Sequence, residues 1–106
     1  MTLDNRYLHG YFSSLVNRFF KILPMRESGE ETLNVYIQSL QAEMLGYESL
    51  SESINYDPSF VTLVSILQYM IDNPSCSVPE TKREVFRAIS ICNRLSEKYS
   101  EGGDTE

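Results

Sequence analysis

Apolar residues recur every three or four positions along almost the whole chain, the period of a helix with one buried face. From Asn5 to Leu23 the stripe is Leu8, Phe12, Leu15, Phe19, Ile22 and Leu23. Pro24 should close this first helix, because a proline pushes the residue before it out of the α region. Ser28-Gly29-Glu30-Glu31 has the Ser-x-x-Glu spacing of a capping box, so a second helix is expected from about Gly29 or Glu30. Its apolar stripe is Leu33, Tyr36, Ile37, Leu40 and Met44. Gly46 allows two readings: a left-handed terminating residue, or a kink in a helix that continues. Tyr47, Leu50 and Ile54 keep the phase of the stripe, which favours continuation to about Ile54.

Asp57-Pro58 reads as the N-cap and first position of a third helix. Phe60, Leu63, Val64, Leu67, Met70 and Ile71 cover a wide arc of it, with no charge before Asp72, so this helix should be the most buried. Asn73-Pro74 stops it. Ser77-Val78-Pro79-Glu80 forms a second capping box and opens a fourth helix to about Tyr99, with Val85, Ala88, Ile89, Cys92, Leu95 and Tyr99 on its core face. Val35-Tyr36-Ile37 and Phe60 to Ile66 are compatible with strands, but their neighbours follow the helical period. The expected fold is all-α: a compact four-helix bundle over residues 1–99, its second helix kinked or broken near Gly46, with a disordered acidic tail over residues 100–106.

Composition narrows the class. With 106 residues, 42% of them hydrophobic and 23% charged, the chain suits one globular domain with a single core. Asp4, Arg6 and Arg18 interrupt the beginning, so no signal peptide is expected. The longest uncharged stretch, Pro58 to Ile71, is too short and too polar to span a bilayer. A cytoplasmic location follows by default. Cys76 and Cys92 should be free thiols, since a helix starting near Val78 carries Cys92 too far from Cys76 for a bridge.

Catalytic chemistry finds little to work with. The single histidine, His9, lies at the edge of an apolar arc and reads as a boundary residue rather than a ligand or base. Two cysteines without Cys-x-x-Cys spacing do not make a zinc site. Cys92 points to the core, and Cys76 has no basic neighbour in sequence to activate it. The scattered glycines form no phosphate loop. Glu30-Glu31 and Glu80, Glu84 sit in first turns, where the helix dipole accounts for acids. No enzyme activity, metal or cofactor is therefore expected.

Charge is distributed unevenly. All nine lysines and arginines lie outside the interval between Arg26 and Lys82, while nine of the fifteen acids fall from Glu27 to Glu80; the net charge is −6. The first and last helices thus carry every basic side chain, and opposed faces arise if those two helices are neighbours. Arg83, Arg87, Arg94 and Lys98 form one stripe on the last helix. Such a stripe can track phosphates, but Glu80, Glu84, Glu97 and Glu101 accompany it and no aromatics interleave, so a solvated, salt-bridged face is preferred. Val35, Ala42 and Leu45 form a second apolar strip on the second helix, and Val61 and Tyr69 lie outside the main arc of the third. With Tyr36, Tyr47 and Tyr56 they suit either a partner surface or the wide buried arc of a helix with two neighbours, the latter being favoured.

Three strings, Phe20-Lys21-Ile22-Leu23-Pro24, Asp57-Pro58-Ser59-Phe60 and Asp72-Asn73-Pro74-Ser75-Cys76, make the chain resemble small, uncharacterised all-helical bacterial proteins of the kind carried by mobile elements. The resemblance brings no activity and no site residues. The expected function is a non-enzymatic protein–protein interaction or adaptor module. It would bind another protein or a second copy of itself, through Tyr36, Tyr47, Tyr56 and Tyr69 or through the last-helix stripe. The alternative is a nucleic-acid-associated regulator using Arg83, Arg87, Arg94 and Lys98.

Overall fold

The computed structural model describes residues 5–50, 54 and 57–104. They form helices α1 (Asn5–Phe20), α2 (Ile22–Glu27), α3 (Leu33–Leu50), α4 (Pro58–Asp72) and α5 (Val78–Asp104), with no strand among the described residues. The four long helices make an all-α four-helix bundle, and α2 is a short continuation of α1 that tucks against α3 and α5. The apolar stripes meet in one core. Phe12 lies at its centre, edge-on to Phe60 with ring centroids 6.1 Å apart and stacked on Tyr99 at 5.7 Å. Leu8, Leu15, Phe19, Ile37, Leu40, Met44, Leu63, Leu67, Val85, Ala88, Cys92 and Leu95 surround it, all buried.

The last two helix starts follow the sequence signals. Asp57 caps α4, its carboxylate accepting from the Ser59 amide at 2.8 Å, with Pro58 in the first turn. The capping box of α5 closes in both directions: the Glu80 amide donates to Ser77 Oγ at 3.2 Å, and the Ser77 amide donates to Glu80 at 3.0 Å. The helix α3 runs unbroken past Gly46 to Leu50.

Three boundaries differ from expectation. Pro24 does not end the first helix; the turn comes at Lys21, and Pro24 sits in the first turn of α2, where a missing N–H breaks no hydrogen bond within that helix. Ser28 does not cap the next helix either. It ends α2, and Gly29 follows with φ 68°, the left-handed residue of a Schellman stop. The Glu30 amide bonds to the Met25 carbonyl at 3.0 Å and the Gly29 amide to Arg26 at 3.2 Å, so α3 begins only at Leu33. At the other end of the chain, α5 passes the expected limit at Tyr99 and reaches Asp104.

Helix order around the bundle decides the charge pattern. The longest seam joins α1 to α5, α3 packs on α4, and α4 also touches α5. The two helices richest in basic residues are thus neighbours. Across the remaining gap, α1 and α3 are joined by long side chains: Arg18 forms a bidentate ion pair with Glu43, the Tyr36 hydroxyl donates to the Arg18 carbonyl at 2.8 Å, and Tyr11 stacks on Tyr47 at 3.9 Å.

Candidate interaction surfaces

Of the tyrosines singled out from the sequence, the three that are described do not gather into one surface. Tyr36 is half-buried, with its hydroxyl bound to Arg18 and Lys21 Nζ 5.5 Å from its ring centroid. Burial raises its phenol pKa. Tyr47 packs on Tyr11 beside the core. Both serve the α1–α3 joint. Tyr69 is exposed on α4, with its hydroxyl 3.4 Å from Glu80, whose charge raises the phenol pKa. Tyr56 lies outside the described residues.

The second apolar strip is not buried, contrary to the favoured expectation. Val35 is 63% exposed, Leu45 45% and Val61 49%, and Ala42 is also exposed. The reason is geometric: the neighbours of α3 lie on one side of it, so a second arc remains free. The exposed residues of α3 from Val35 onward are Val35, Gln38, Ser39, Ala42, Leu45, Gly46 and Ser49. Every one is uncharged. On α4 the exposed Val61, Ser65, Gln68 and Tyr69 continue the pattern until Asp72. Gln41 joins the two helices by donating to the Val64 carbonyl at 3.3 Å and to Gln68 at 3.0 Å. Glu43 and Glu48 are half-buried, and Glu43 is turned to Arg18. The fully exposed side chains on the outer side of the α3–α4 pair are therefore uncharged as far as Asp72, with the half-buried Glu48 at their edge, on a chain of net charge −6. A smaller aromatic patch, Phe20 with Phe86 at 6.4 Å, has Lys21 adjacent and Lys82 one turn away.

The basic stripe of α5 is exposed but largely engaged. Arg83 and Arg87 share Glu84 at 3.4 and 3.3 Å, and Lys98 pairs with Asp57 at 2.9 Å. Arg94 has no ion pair among the described residues. Beside the stripe, Arg87, Ser90, Ile91 and Arg94 of α5 face Pro58, Ser59 and Thr62 of α4 across an open groove of about 480 Å³. The groove was not foreseen, because it depends on α4 lying beside the stripe.

The remaining polar candidates lie in the seams between helices or in the core. His9 is half-buried in the α1–α5 seam, where Nδ1 donates to the Ser96 carbonyl at 2.8 Å. Burial pushes the Cys92 thiol up to about 12, so at neutral pH it packs as a small apolar group. Cys76 does have a basic neighbour in space: Arg26 lies 3.5 Å from its sulfur while donating to the Pro74 carbonyl at 2.6 Å and to Thr81 at 3.1 Å. That arginine ties α2 to the α4–α5 turn. No group of three metal-binding side chains exists among the described residues, and no helix there is long and apolar enough to cross a membrane. No protein-family model, curated protein or solved structure matches the chain.

Proposed function

We propose that the chain is a non-enzymatic interaction module that pairs with a second copy of itself through the outer side of α3 and α4. The observation that carries this reading is the neutral surface running from Val35 to Ser49 and from Val61 to Tyr69. A molecule of net charge −6 repels its own copies at most orientations. Pairing two copies through this surface would bring few like charges together, and a two-fold interface uses the same patch on both copies. Ser39, Ala42 and Gly46 are small and allow the helices of two copies to approach closely, with Val35, Leu45 and Val61 as apolar anchors. The helix α3 is about 27 Å long, so two adjacent helices offer roughly 500 Å² per copy. Pairing would bury about 1,000 Å² in all, the lower limit of a specific interface. A weak, reversible dimer follows.

Sedimentation velocity over a wide concentration range tests the proposal. Reversible dimerisation is expected, abolished by Ala42→Glu and unchanged by Phe86→Ser on the opposite patch, with both variants keeping the parent's helix content. A strictly monomeric species at high concentration removes the reading. The alternative, nucleic-acid binding along Arg83, Arg87, Arg94 and Lys98, has less support because three of the four charges are engaged by Glu84 and Asp57.

A further inference from the structure

We propose that the α4–α5 groove binds a small phosphorylated polyol or sugar, its phosphate held by Arg87 and Arg94 over Ser90. This is independent of self-association, since the groove lies on the seam between α4 and α5 and not on the outer side of α3 and α4.

The groove is open to solvent, with about 480 Å³ of space between its walls. Its two ends differ in chemistry. On the α5 side, Arg87, Ser90 and Arg94 follow one another along the helix, with the arginines two turns and about 10 Å apart. Each guanidinium can reach inward to an anion above Ser90 and form charge-assisted, bidentate hydrogen bonds there. Arg94 has no carboxylate partner among the described residues, and Glu84 is shared between Arg83 and Arg87. Arg94 thus brings the groove a charge with no ion pair among the described residues, and Arg87 one whose acid is shared with Arg83. Glu97, one turn beyond Arg94, makes no ion pair with it.

On the α4 side the groove accepts rather than donates. Thr62 gives its hydroxyl proton to the Pro58 carbonyl at 2.9 Å, leaving lone pairs to receive a ligand hydroxyl. The first amides of α4 are already used: Ser59 donates to the Asp57 carboxylate at 2.8 Å, and Phe60 and Val61 donate to the Asp57 carbonyl at 3.1 and 3.2 Å. An anion therefore finds no free amide at that helix start, and the Asp57 carboxylate, though matched to Lys98, disfavours it there. The phosphate goes to α5 and the hydroxyl-bearing part to α4. Ile91 and Pro58 supply an apolar wall between them.

The test is an amide-resolved NMR titration of the full chain with inorganic phosphate, ribose 5-phosphate and ribose. Saturable shifts are expected at Ser59, Thr62, Ser90 and Ile91, tightest for ribose 5-phosphate and absent for ribose. Arg94→Gln should weaken binding roughly tenfold, the effect of losing a charge-assisted hydrogen bond. Arg83→Gln, on the same stripe but outside the groove, should change it less than about twofold, and both variants should melt like the parent. Shifts that grow linearly without saturation, or equal losses from Arg83→Gln and Arg94→Gln, would overturn the site in favour of diffuse charge. Equal affinity for phosphate and ribose 5-phosphate would overturn the polyol half and leave free phosphate as the occupant.

Discussion

Gly29 shows how one residue can decide a boundary that a neighbouring motif misrepresents. Its φ of 68° belongs to the left-handed region, and no atom lies within 4 Å of the position a Cβ would take. Backbone strain is therefore the only penalty for a side chain there. Gly29→Ala should destabilise the protein by about 1 kcal/mol. Gly10 is the contrasting case: it lies inside α1, exposed, with equally open space around it. Gly10→Ala should stabilise by about 0.5–1 kcal/mol through helix propensity and a less flexible unfolded chain. Urea unfolding of the two variants should move the midpoint in opposite directions; a midpoint raised by Gly29→Ala would refute the assignment of Gly29. The glycine was visible in the sequence, but Ser28 and Glu31 happen to have capping-box spacing, and that pattern hid the helix stop. A spacing rule cannot tell whether a serine opens one helix or closes another.

At the scale of the elements, the apolar stripes were legible because each long helix has a continuous face toward the core, from Leu8 through Phe19 on α1 and from Val85 through Tyr99 on α5. Pro24 was misread because its effect depends on where the helix has already paused, and the pause at Lys21 leaves no mark in the stripe. The joints between elements can be tested directly. Asp57 both caps α4 and pairs with Lys98 while itself being 5% exposed. Asp57→Ala should cost about 1–2 kcal/mol, mostly through the lost cap, and Asp57→Asn, which can still cap, should cost less. Equal losses in chemical denaturation would shift the credit from the cap to the ion pair. The Arg18–Glu43 joint between α1 and α3 responds to pH. Hydrogen bonds from Arg18 lower the Glu43 pKa in the folded state. The pair therefore stabilises the protein above the unfolded carboxyl value of about 4.3, and that contribution is lost as pH falls through the lowered folded value. Its size is small, below about 1 kcal/mol, because both side chains are more than a third exposed. Glu43→Gln should thus be slightly less stable than the parent at pH 7, and the gap should shrink as the pH falls below the unfolded carboxyl value of about 4.3. A gap that persists in acid would mean that packing, not charge, holds this joint.

At the scale of the molecule, polarity and neutrality matter more than any single pair. The uneven distribution of charge was plain in the sequence, but the neighbours of each helix were not, because periodicity records one buried face and is silent on what lies beyond it. That is why Val35, Ala42 and Leu45 could be read as either buried or free, and why the groove between Arg94 and Thr62 went unseen. The two proposed surfaces follow opposite electrostatic rules, so a single salt series separates them. Self-association through α3 and α4 must overcome repulsion between two bodies of charge −6 while gaining nothing from ion pairs. Raising ionic strength from about 0.01 M to about 0.15 M shortens the screening length from about 30 Å to about 8 Å. The dimer should tighten several-fold over that range, because only the repulsion is screened. Phosphate in the α4–α5 groove is drawn by Arg87 and Arg94, and the same salt should weaken it. Sedimentation and NMR titration at three chloride concentrations would read both trends on one protein. A dimer that loosens with salt would be held by ion pairs, and no such pairs can form across the neutral side of α3 and α4, so the seam would have to lie on another face of the bundle.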